Sequence, residues 1–252
     1  MRGNSESFWA NTARAEEYSK RSFLCKAEEV ILARFRDDWP RWSMLDLGVG
    51  GGRTTEHFAH VVGRYVGSDF APTMLEACRK RFPQYEFRLD DVRSMPQVGD
   101  ASFDFLAFSY NGLSELAHED MPSALAEIRR VLKRGGRFFF SQHNIYWAGR
   151  IFRMRWSKNP RRLLQSIYRA WKFRRINERW FDVTERPYAS LRDYAHDFTK
   201  VTYWIAPAEQ VRQLEAAGFR DVEIFRNSTG ERTSGSREEV AAEPYLHYLA
   251  RT

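Results

Sequence analysis

The sequence MLDLGVGGGRTT, residues 44–55, joins an apolar run to a turn that contains four glycines. Glycine has no Cβ, so Gly48, Gly50 and Gly52 allow the chain to leave a strand sharply and allow its backbone to approach a ligand closely. The run that follows, EHFAHVVG, predicts a helix whose first amides would face an anionic group held in the turn. Together, this strand, turn and helix predict a binding site for a nucleotide-type cofactor.

The glycine spacing distinguishes two kinds of cofactor loop. A dinucleotide-binding fingerprint has the pattern G-x-G-x-x-G, followed by an acid about 20 residues later. Counted from Gly48, the position of its third glycine is occupied by Arg53. The pattern present is Asp46-x-Gly48-x-Gly50-x-Gly52, which disfavours a nicotinamide dinucleotide. A tight turn that binds nothing is the simplest alternative, so the segments that follow have to support the site.

Strand-like and helix-like segments alternate after this loop. Residues 64–69 form a β-rich run that ends in Asp69, and Pro72 stands where proline is favoured, in the first turn of a helix. Further strands are predicted at 86–92 and 103–112. The helix SALAEIRRVLKRGG, closed by a glycine cap, leads to a fifth strand, RFFFSQHN. This alternation predicts a doubly wound, mostly parallel α/β sheet.

The ordered motifs resemble those of the class I S-adenosylmethionine-dependent methyltransferases, over residues 40–145 and again over 205–250. The resemblance implies a Rossmann-like, seven-stranded sheet in a single domain, 1–252. It also implies an N-terminal helical cap at 1–40 and a basic helical insertion at 147–200, after strand five. The implied activity is methyl transfer, and the implied cofactor is S-adenosylmethionine.

By the same resemblance, eleven residues would contact this cofactor. The glycine loop would hold its methionine part, with Asp46 near the ammonium group, and Asp69 would bind the ribose. Phe70 would lie against the adenine, whose edge Asp91 and the backbone of Val92 would contact. The complete set is Tyr18, Asp46, Gly48, Gly50, Gly52, Asp69, Phe70, Asp91, Val92, Ser109 and Tyr110.

The reacting atoms would lie next to the fourth strand. Ser109 and Tyr110 follow this strand and would lie beside the sulfonium, while Tyr18 would cover the cofactor. His143, at the end of the fifth strand, is the candidate general base for an oxygen acceptor, because an imidazole titrates near neutrality. Each residue has a structural alternative: a helix cap or turn for the acids, core packing for the aromatic residues, and strand-end hydrogen bonding for His143.

Composition argues against a membrane-spanning, a disulfide-bonded and a metal-binding protein. The 252-residue chain has no run of the ~18 apolar residues that a membrane span needs, and its first thirty residues lack an apolar signal core, so we expect a cytoplasmic protein. Cys25 and Cys78 have no C-x-x-C spacing and are expected to be reduced thiols. The six histidines show no ligand spacing with cysteine or carboxylate residues, and no metal site is expected.

The most unusual composition lies between Trp147 and Trp180. This stretch carries eleven basic residues and one acid, a net charge of +10, whereas the whole chain carries +7. Its central part, PRRLLQSIYRAWKFRR, predicts an amphipathic helix whose apolar stripe packs on the enzyme, as a lid over the strand ends. The residues of this stripe are Leu163, Leu164, Ile167, Tyr168 and Trp171.

The acceptor remains open at the level of sequence. We expect a small-molecule, lipid-linked or glycan acceptor with an anionic feature, methylated at oxygen. One alternative is an RNA methyltransferase, in which arginines pair with phosphates and aromatic rings stack on bases. Another is a non-catalytic module that docks on an acidic membrane or a partner. The expected acceptor-pocket residues are Tyr146, Trp147, Tyr188, Tyr203 and Trp204.

Overall fold

The fold is organised around one mixed β-sheet, in a computed structural model that describes residues 12–151, 153, 156–178, 180–193 and 197–252. Its strands are β1 (Ser43–Leu47), β2 (Arg64–Asp69), β3 (Glu86–Leu89), β4 (Phe103–Phe108), β5 (Leu132–Asn144), β6 (Tyr188–Arg192), β7 (Val201–Ile205), β8 (Arg220–Arg226), β9 (Arg232–Thr233) and β10 (Tyr245–Arg251). The helices of the described residues are α1 (Thr12–Ser19), α2 (Lys26–Arg34), α3 (Thr55–Phe58), α4 (Pro72–Arg81), α5 (Met121–Val131), α6 (Ile145–Ile151), α7 (Pro160–Ile176), α8 (Pro207–Ala216) and α9 (Arg237–Val240). Short 3₁₀ helices stand at Trp39–Arg41, Gly112–Glu115, His118–Asp120 and Val183–Glu185.

Five parallel strands place their carboxyl ends at one edge of the sheet. The spatial order is β3-β2-β1-β4-β5, so the chain order reverses between β1 and β4. In sheets of this kind the crevice outside such a reversal is where ligands bind. The prediction of a doubly wound, mostly parallel α/β fold is therefore confirmed, and the loop after β1 lies at the reversal.

The strand count differs from the predicted seven, because the described residues form ten strands. Strand β10 pairs antiparallel with β5 and β8, as predicted for the tail, and the short β9 extends that edge. Strand β6 lies inside the insertion and pairs antiparallel with β7. Strand β7 in turn pairs with the end of β5, His143 beside Trp204. The insertion therefore continues the sheet at its carboxyl edge.

The sheet is buried on both faces by helices. Successive residues of β5 point to opposite faces, as in any strand. Phe138 and Phe140 join the cluster that contains Ile128 of α5, and Phe139 joins the cluster that contains Ile31 of α2. This arrangement gives a three-layer architecture that fixes the strand ends on which the site is built.

Two predicted helices end earlier than the sequence suggests. Helix α3 is a single turn, Thr55–Phe58, because the β-branched pair Val61 and Val62, followed by Gly63, has low helix propensity. It is too short for the anion site that was predicted at its first amides. Helix α5 ends at Val131, and Gly135 (φ 78°) lies four residues beyond, in β5, rather than at a helix cap.

The insertion is held by its own apolar cluster, which contains Ile145 and Phe173. Helix α7 starts at Pro160, where the Asn159 side chain accepts hydrogen bonds from the first backbone amides. At its other end the Asn177 side chain donates to the carbonyls of Phe173 and Arg192, which ties the helix to β6. None of the described helices is long and apolar enough to cross a bilayer.

Candidate active site

A cavity of about 310 Å³ opens at the carboxyl edge of the sheet, between the loops that follow β1 and β4. This volume lies within the range of small-molecule sites in proteins. Nine of the eleven residues predicted to contact a cofactor line this cavity. They are Tyr18, Gly48, Gly50, Asp69, Phe70, Asp91, Val92, Ser109 and Tyr110.

The glycine loop forms one wall. Gly48 and Gly50 have φ values of 59° and 55°, a left-handed region that favours glycine. A Cβ at Gly50 would meet nothing closer than the Gly48 carbonyl oxygen, at 3.9 Å, so the space beside this backbone is open. A Cβ at Gly51 would lie 2.4 Å from the backbone nitrogen of Ser19, because the end of α1 packs directly on the loop. Gly50 therefore leaves space for a ligand, and Gly51 allows α1 to pack on the loop.

Asp69 lies at the end of β2, facing the glycine loop. Its Oδ2 accepts a hydrogen bond from the Gly50 amide, and its Oδ1 accepts one from the Ala71 amide, both at 2.9 Å. The carboxylate is buried, and this burial raises its pKa to about 6, although the two amides oppose the shift. Each oxygen retains a second lone pair, so the group can accept further hydrogen bonds from ligand hydroxyls.

Two predicted contact residues, Asp46 and Gly52, do not line the cavity. Asp46 Oδ2 accepts hydrogen bonds from the hydroxyls of Thr54, at 2.6 Å, and Tyr65, at 2.8 Å, and burial raises the pKa of this carboxyl to about 6. The residue thus holds Thr54, which does line the cavity. A Cβ at Gly52 would lie 2.6 Å from the Phe82 ring, so this glycine permits close packing.

The end of β3 contributes two carboxylates, of which the sequence indicated only Asp91. Asp91 accepts hydrogen bonds from the backbone amide and the Nε of Arg93, at 3.0 and 2.9 Å, and Arg93 also binds Asp120 at 2.9 Å. Asp90 lines the same wall, and its Oδ2 is buried without a hydrogen-bond partner. Burial raises the pKa of Asp90. A buried acceptor left unpaired on a cavity wall indicates that a ligand donor can bind there.

The turn after β4 carries strained backbone. Tyr110 and Asn111 both have left-handed φ values, 55° and 64°, which is costly for residues with side chains and tends to occur at functional sites. The Asn111 amide donates to Ser141 Oγ at 2.7 Å, which holds the turn in place. The turn presents Tyr110 to the cavity beside Arg21, whose Nη1 donates to the tyrosine hydroxyl at 3.3 Å.

Helix α1 and the residues after it complete this wall. The guanidinium carbon of Arg21 lies 3.8 Å from the centroid of the Tyr18 ring, and burial raises the pKa of Tyr18. Arg53, from the glycine loop, is largely buried and binds both carboxylate oxygens of Glu28, at 2.6 and 2.7 Å. This ion pair fixes the loop to α2, while Arg21 remains half-buried at the cavity.

His143 does not line the cavity. Its Nδ1 lies 2.8 Å from Ser114 Oγ, its ring centroid lies 4.7 Å from that of Trp204, and Ser114 itself is fully buried. The imidazole thus contacts the loop that presents Glu115 to the cavity, and its role as a base stays a prediction.

The predicted acceptor-pocket aromatics also lie away from this cavity. Tyr203 and Trp204 are buried in the core because β7 pairs with β5. Tyr188 stacks on His118, at 3.7 Å between ring centroids, and Tyr146 borders a separate surface groove. No described residue between 147 and 200 lines the cavity, and the lid over the strand ends stays a prediction.

One group of cavity-lining residues that sequence reasoning missed comes from a single loop. Glu115, Leu116, Ala117 and Asp120 line the cavity from the segment after the turn that follows β4. Loops at the carboxyl ends of parallel strands form such sites, and that rule could have indicated the segment without naming its side chains. Glu115 forms an ion pair with Lys200, whose side chain is 1% exposed.

Comparisons with known proteins agree with this geometry. A family model described as a methyltransferase domain matches residues 44–136. Demethylmenaquinone methyltransferase of Streptomyces avermitilis is 28% identical over 200 residues, which cover 79% of this chain and 77% of that protein. Malonyl-(acyl-carrier protein) O-methyltransferase of Serratia marcescens is 32% identical over 102 residues, 40% of this chain and 38% of that one. The structure of an S-adenosylmethionine-dependent methyltransferase from Mesorhizobium loti superposes with a TM-score of 0.61 at 18% identity, over 90% of this chain and 98% of that chain.

The site has the groups that this cofactor needs. Open space beside Gly50 can take an extended ligand chain, the Asp69 carboxylate can accept from hydroxyls, and the unpaired oxygen of Asp90 can accept from an amino group or a hydroxyl. The family match over residues 44–136, the relatives and the order of these elements agree, and together they support a class I S-adenosylmethionine-dependent methyltransferase, with S-adenosylmethionine as its cofactor.

Proposed function

We propose that this enzyme transfers a methyl group to an oxygen of a small, largely apolar or lipid-linked acceptor. The observation that carries the proposal is the composition of the cavity beyond the glycine loop. Phe108, Tyr110, Leu116 and Ala117 form an apolar part of its wall. A wall of this kind binds a ring or an alkyl chain by burying apolar surface.

The relatives favour the same class of acceptor. The protein with the longest alignment described above is named for a demethylated menaquinone, and the second is named as an O-methyltransferase. Those names belong to the relatives, and they support a small-molecule or carrier-linked acceptor for this chain. A glycan acceptor is less well supported, because neither of these two relatives is named for a sugar acceptor.

The chemistry requires mainly that the acceptor be held in position. The bound cofactor supplies an activated methyl group, so the side chains orient the acceptor and exclude water. Such positioning can contribute about 7–11 kcal/mol at its upper limit. We propose that Glu115 of the loop after β4, held by the ammonium group of Lys200, accepts a hydrogen bond from the acceptor hydroxyl and takes up the proton that this oxygen loses when it is methylated.

The charge of the cavity disfavours the RNA alternative. Its described lining contains five carboxylates and three arginines, and each of these arginines is paired with an acid. The carboxylates are Asp69, Asp90, Asp91, Glu115 and Asp120. A polyanionic backbone would be repelled by such a mouth, so the basic segment at 147–180 does not by itself indicate an RNA substrate.

The setting that we propose is the cytoplasm. Cys25 and Cys78 are both buried thiols, and burial raises their pKa values to about 11 and 12. Buried, protonated thiols without a disulfide suit a reducing compartment.

The experiment that tests the acceptor class is a transfer of label. The protein, methyl-labelled S-adenosylmethionine and a host extract are incubated together and then separated into lipid, small-molecule, glycan and RNA pools. We expect label in the lipid or apolar small-molecule pool with the wild-type protein, and none with the Asp69→Asn variant. Label in the RNA pool would contradict the proposal, as would label confined to the glycans.

A further inference from the structure

Helix α7 exposes apolar side chains to solvent along one face. Leu164 is 66% exposed, Ile167 41%, Tyr168 52% and Trp171 52%. The spacing of these residues, i, i+3, i+4 and i+7, places them on one stripe of the helix. The sequence predicted that this stripe packs on the enzyme, and that prediction is wrong.

The opposite face of the helix is the one that packs. Ala170 and Phe173 are buried, and Phe173 belongs to the cluster of the insertion. Asn177 fixes the end of the helix through its bonds to Phe173 and Arg192, and Asn159 caps its start. The outward direction of the apolar stripe therefore follows from contacts on the other side and at both ends.

Basic side chains accompany this stripe. Within Pro160–Ile176 there are six basic residues and no acid. Arg161, Arg162 and Arg175 make no ion pair in the described part of the chain. The guanidinium of Arg175 lies 5.3 Å from the Trp171 ring centroid, and the ammonium of Lys172 lies 5.5 Å from the Tyr168 ring centroid. Positive charge thus lies beside exposed aromatic rings.

Three occupants of such a face can be compared. A second copy of the chain would bring two strongly positive helices together, which is unfavourable. A nucleic acid stacks on aromatic and guanidinium planes, but Leu164 and Ile167 offer no such plane. An anionic bilayer meets both features, because its acyl boundary takes apolar side chains and its headgroups take arginines and lysines.

We propose that α7 binds the surface of an anionic lipid bilayer, lying in its plane with Leu164, Ile167, Tyr168 and Trp171 inserted at the headgroup boundary. The helix of 17 residues is about 25 Å long, enough for two to three turns of contact. Strand β5 ends at the same sheet edge as β1 and β4 and runs directly into α6, against which α7 packs. Helix α7 therefore belongs to the insertion that follows the same sheet edge as the cavity.

Vesicle binding tests this surface without any turnover, so its result is independent of the acceptor proposed above. The full-length protein is titrated with vesicles of phosphatidylcholine, with and without phosphatidylglycerol, and bound protein is measured by co-sedimentation. We expect binding to the anionic vesicles that weakens with added salt. Each basic residue near an anionic surface contributes about fivefold in affinity, so the triple variant Arg161→Gln, Arg162→Gln, Arg175→Gln should bind about a hundredfold more weakly.

A matched triple variant removes the same charge elsewhere. Arg36, Arg41 and Arg232 have side chains that are 80%, 74% and 71% exposed, and changing all three to glutamine should leave binding within about threefold. For the apolar stripe, Trp171→Ser should weaken binding at least tenfold, whereas Val30→Ser on α2, also exposed, should not. Circular dichroism and S-adenosylhomocysteine binding confirm that each variant is folded.

Several outcomes would overturn the proposal. They are an equal loss of vesicle binding in the two triple variants, equal binding to vesicles with and without phosphatidylglycerol, and no vesicle binding at all. So would self-association that Trp171→Ser abolishes, or binding to single-stranded RNA in the absence of vesicle binding. Retained methyl transfer with absent vesicle binding would remove the docking surface and leave the proposed function standing.

Discussion

At the scale of single residues, the donor half of the site depends on how Asp69 is held. Two backbone amides fix its carboxylate against the glycine loop, so the group is positioned before any ligand arrives. Burial disfavours the charged form of this carboxyl and raises its pKa. Groups with such a perturbed pKa occur often at functional sites. We infer that Asp69 is the principal hydrogen-bond acceptor for the cofactor.

The variant Asp69→Asn tests this inference. The amide keeps one oxygen but loses the charge, and hydrogen bonds to a charged group contribute about 1.5–3 kcal/mol, so S-adenosylhomocysteine should bind roughly 10- to 100-fold more weakly. The measurement is isothermal titration calorimetry at pH 7. Asp37→Asn, at a side chain that is 90% exposed, is the matched control and should bind normally. Unchanged affinity in Asp69→Asn would remove this residue from the cofactor site.

A pH dependence follows from the same carboxylate. Its pKa is raised to about 6, so the group is ionised at pH 7 and becomes protonated as the pH falls through about 6. A neutral carboxyl accepts hydrogen bonds less strongly, and we therefore expect ligand affinity to decline between pH 7 and 5. Calorimetry over this range should show the decline in the wild type, and a flatter profile in Asp69→Asn. Parallel profiles would assign the decline to another group.

His143, the candidate base, differs from Asp69 because it does not line the cavity. A general base contributes about 10²–10⁴ in rate, whereas a residue that only fixes a loop contributes less. We expect His143→Ala to lower turnover of the labelled acceptor less than tenfold and to leave S-adenosylhomocysteine affinity unchanged. His60→Ala, at an exposed histidine whose Nδ1 lies 3.1 Å from the Glu56 carbonyl oxygen, is the control. A loss of a hundredfold or more would restore the catalytic role.

At the scale of elements, the contact between the glycine loop and α1 couples the donor site to its cover. Gly51 lies against the backbone of Tyr18 and Ser19, so a methyl group there has no room unless α1 moves away. We expect Gly51→Ala to weaken S-adenosylhomocysteine binding by more than tenfold and to increase amide exchange in residues 12–19. Such overpacking typically costs 1–3 kcal/mol. Gly99→Ala, whose nearest neighbour is the Ser102 hydroxyl at 3.2 Å, should change neither quantity.

The elements also show where reading the sequence succeeds and where it fails. Periodicity and glycine spacing predicted β1, β2, β4 and the doubly wound order, because strand alternation and the loop pattern are local. The same periodicity showed that Leu164, Ile167 and Trp171 share a face of α7, but not whether that face is buried. The packing was decided by Phe173, which joins a cluster with Ile145 of α6 and Leu191 of β6, both outside the helix. The contact between His143 and Ser114 could not be predicted from the sequence for a related reason, since the two residues are 29 positions apart.

At the scale of the whole molecule, charge is divided between two regions. The stretch 147–180 carries a net +10, and the remainder of the chain is slightly negative, consistent with the carboxylates of the cavity. A small or apolar acceptor avoids the repulsion that these carboxylates would impose on a polyanion. The basic region can therefore serve a role other than substrate binding. The exposed apolar stripe of α7 lies within this region and can contact a partner surface together with the basic side chains.

The stability of the whole fold should depend on pH through a histidine buried in the sheet. His247 of β10 is fully buried beside Phe139, and burial lowers its pKa to about 4, below the ordinary value of 6.5. Between these values the unfolded chain binds a proton that the folded chain does not, so this residue makes the fold less stable as the pH falls from 6.5 to 4. Asp46 and Asp69 act in the opposite direction, because their raised pKa values make the folded chain bind protons more tightly between about pH 4 and 6.

The variant His247→Gln separates the histidine from these carboxyl groups. At pH 7 the imidazole is largely neutral in the folded and the unfolded chain, so the free energies of unfolding of the variant and the wild type differ only through packing. On acidification to pH 4 the unfolded wild type gains a proton at His247, whereas the variant has no such group. The free energy of unfolding of His247→Gln, relative to the wild type, should therefore rise by about 3 kcal/mol between pH 7 and pH 4. Urea unfolding at several pH values measures this difference, and His60→Gln, at an exposed histidine, should give no such change. If the difference between His247→Gln and the wild type stays constant across this range, the buried imidazole does not govern acid stability, and the opposing carboxyl groups or the surface charge must.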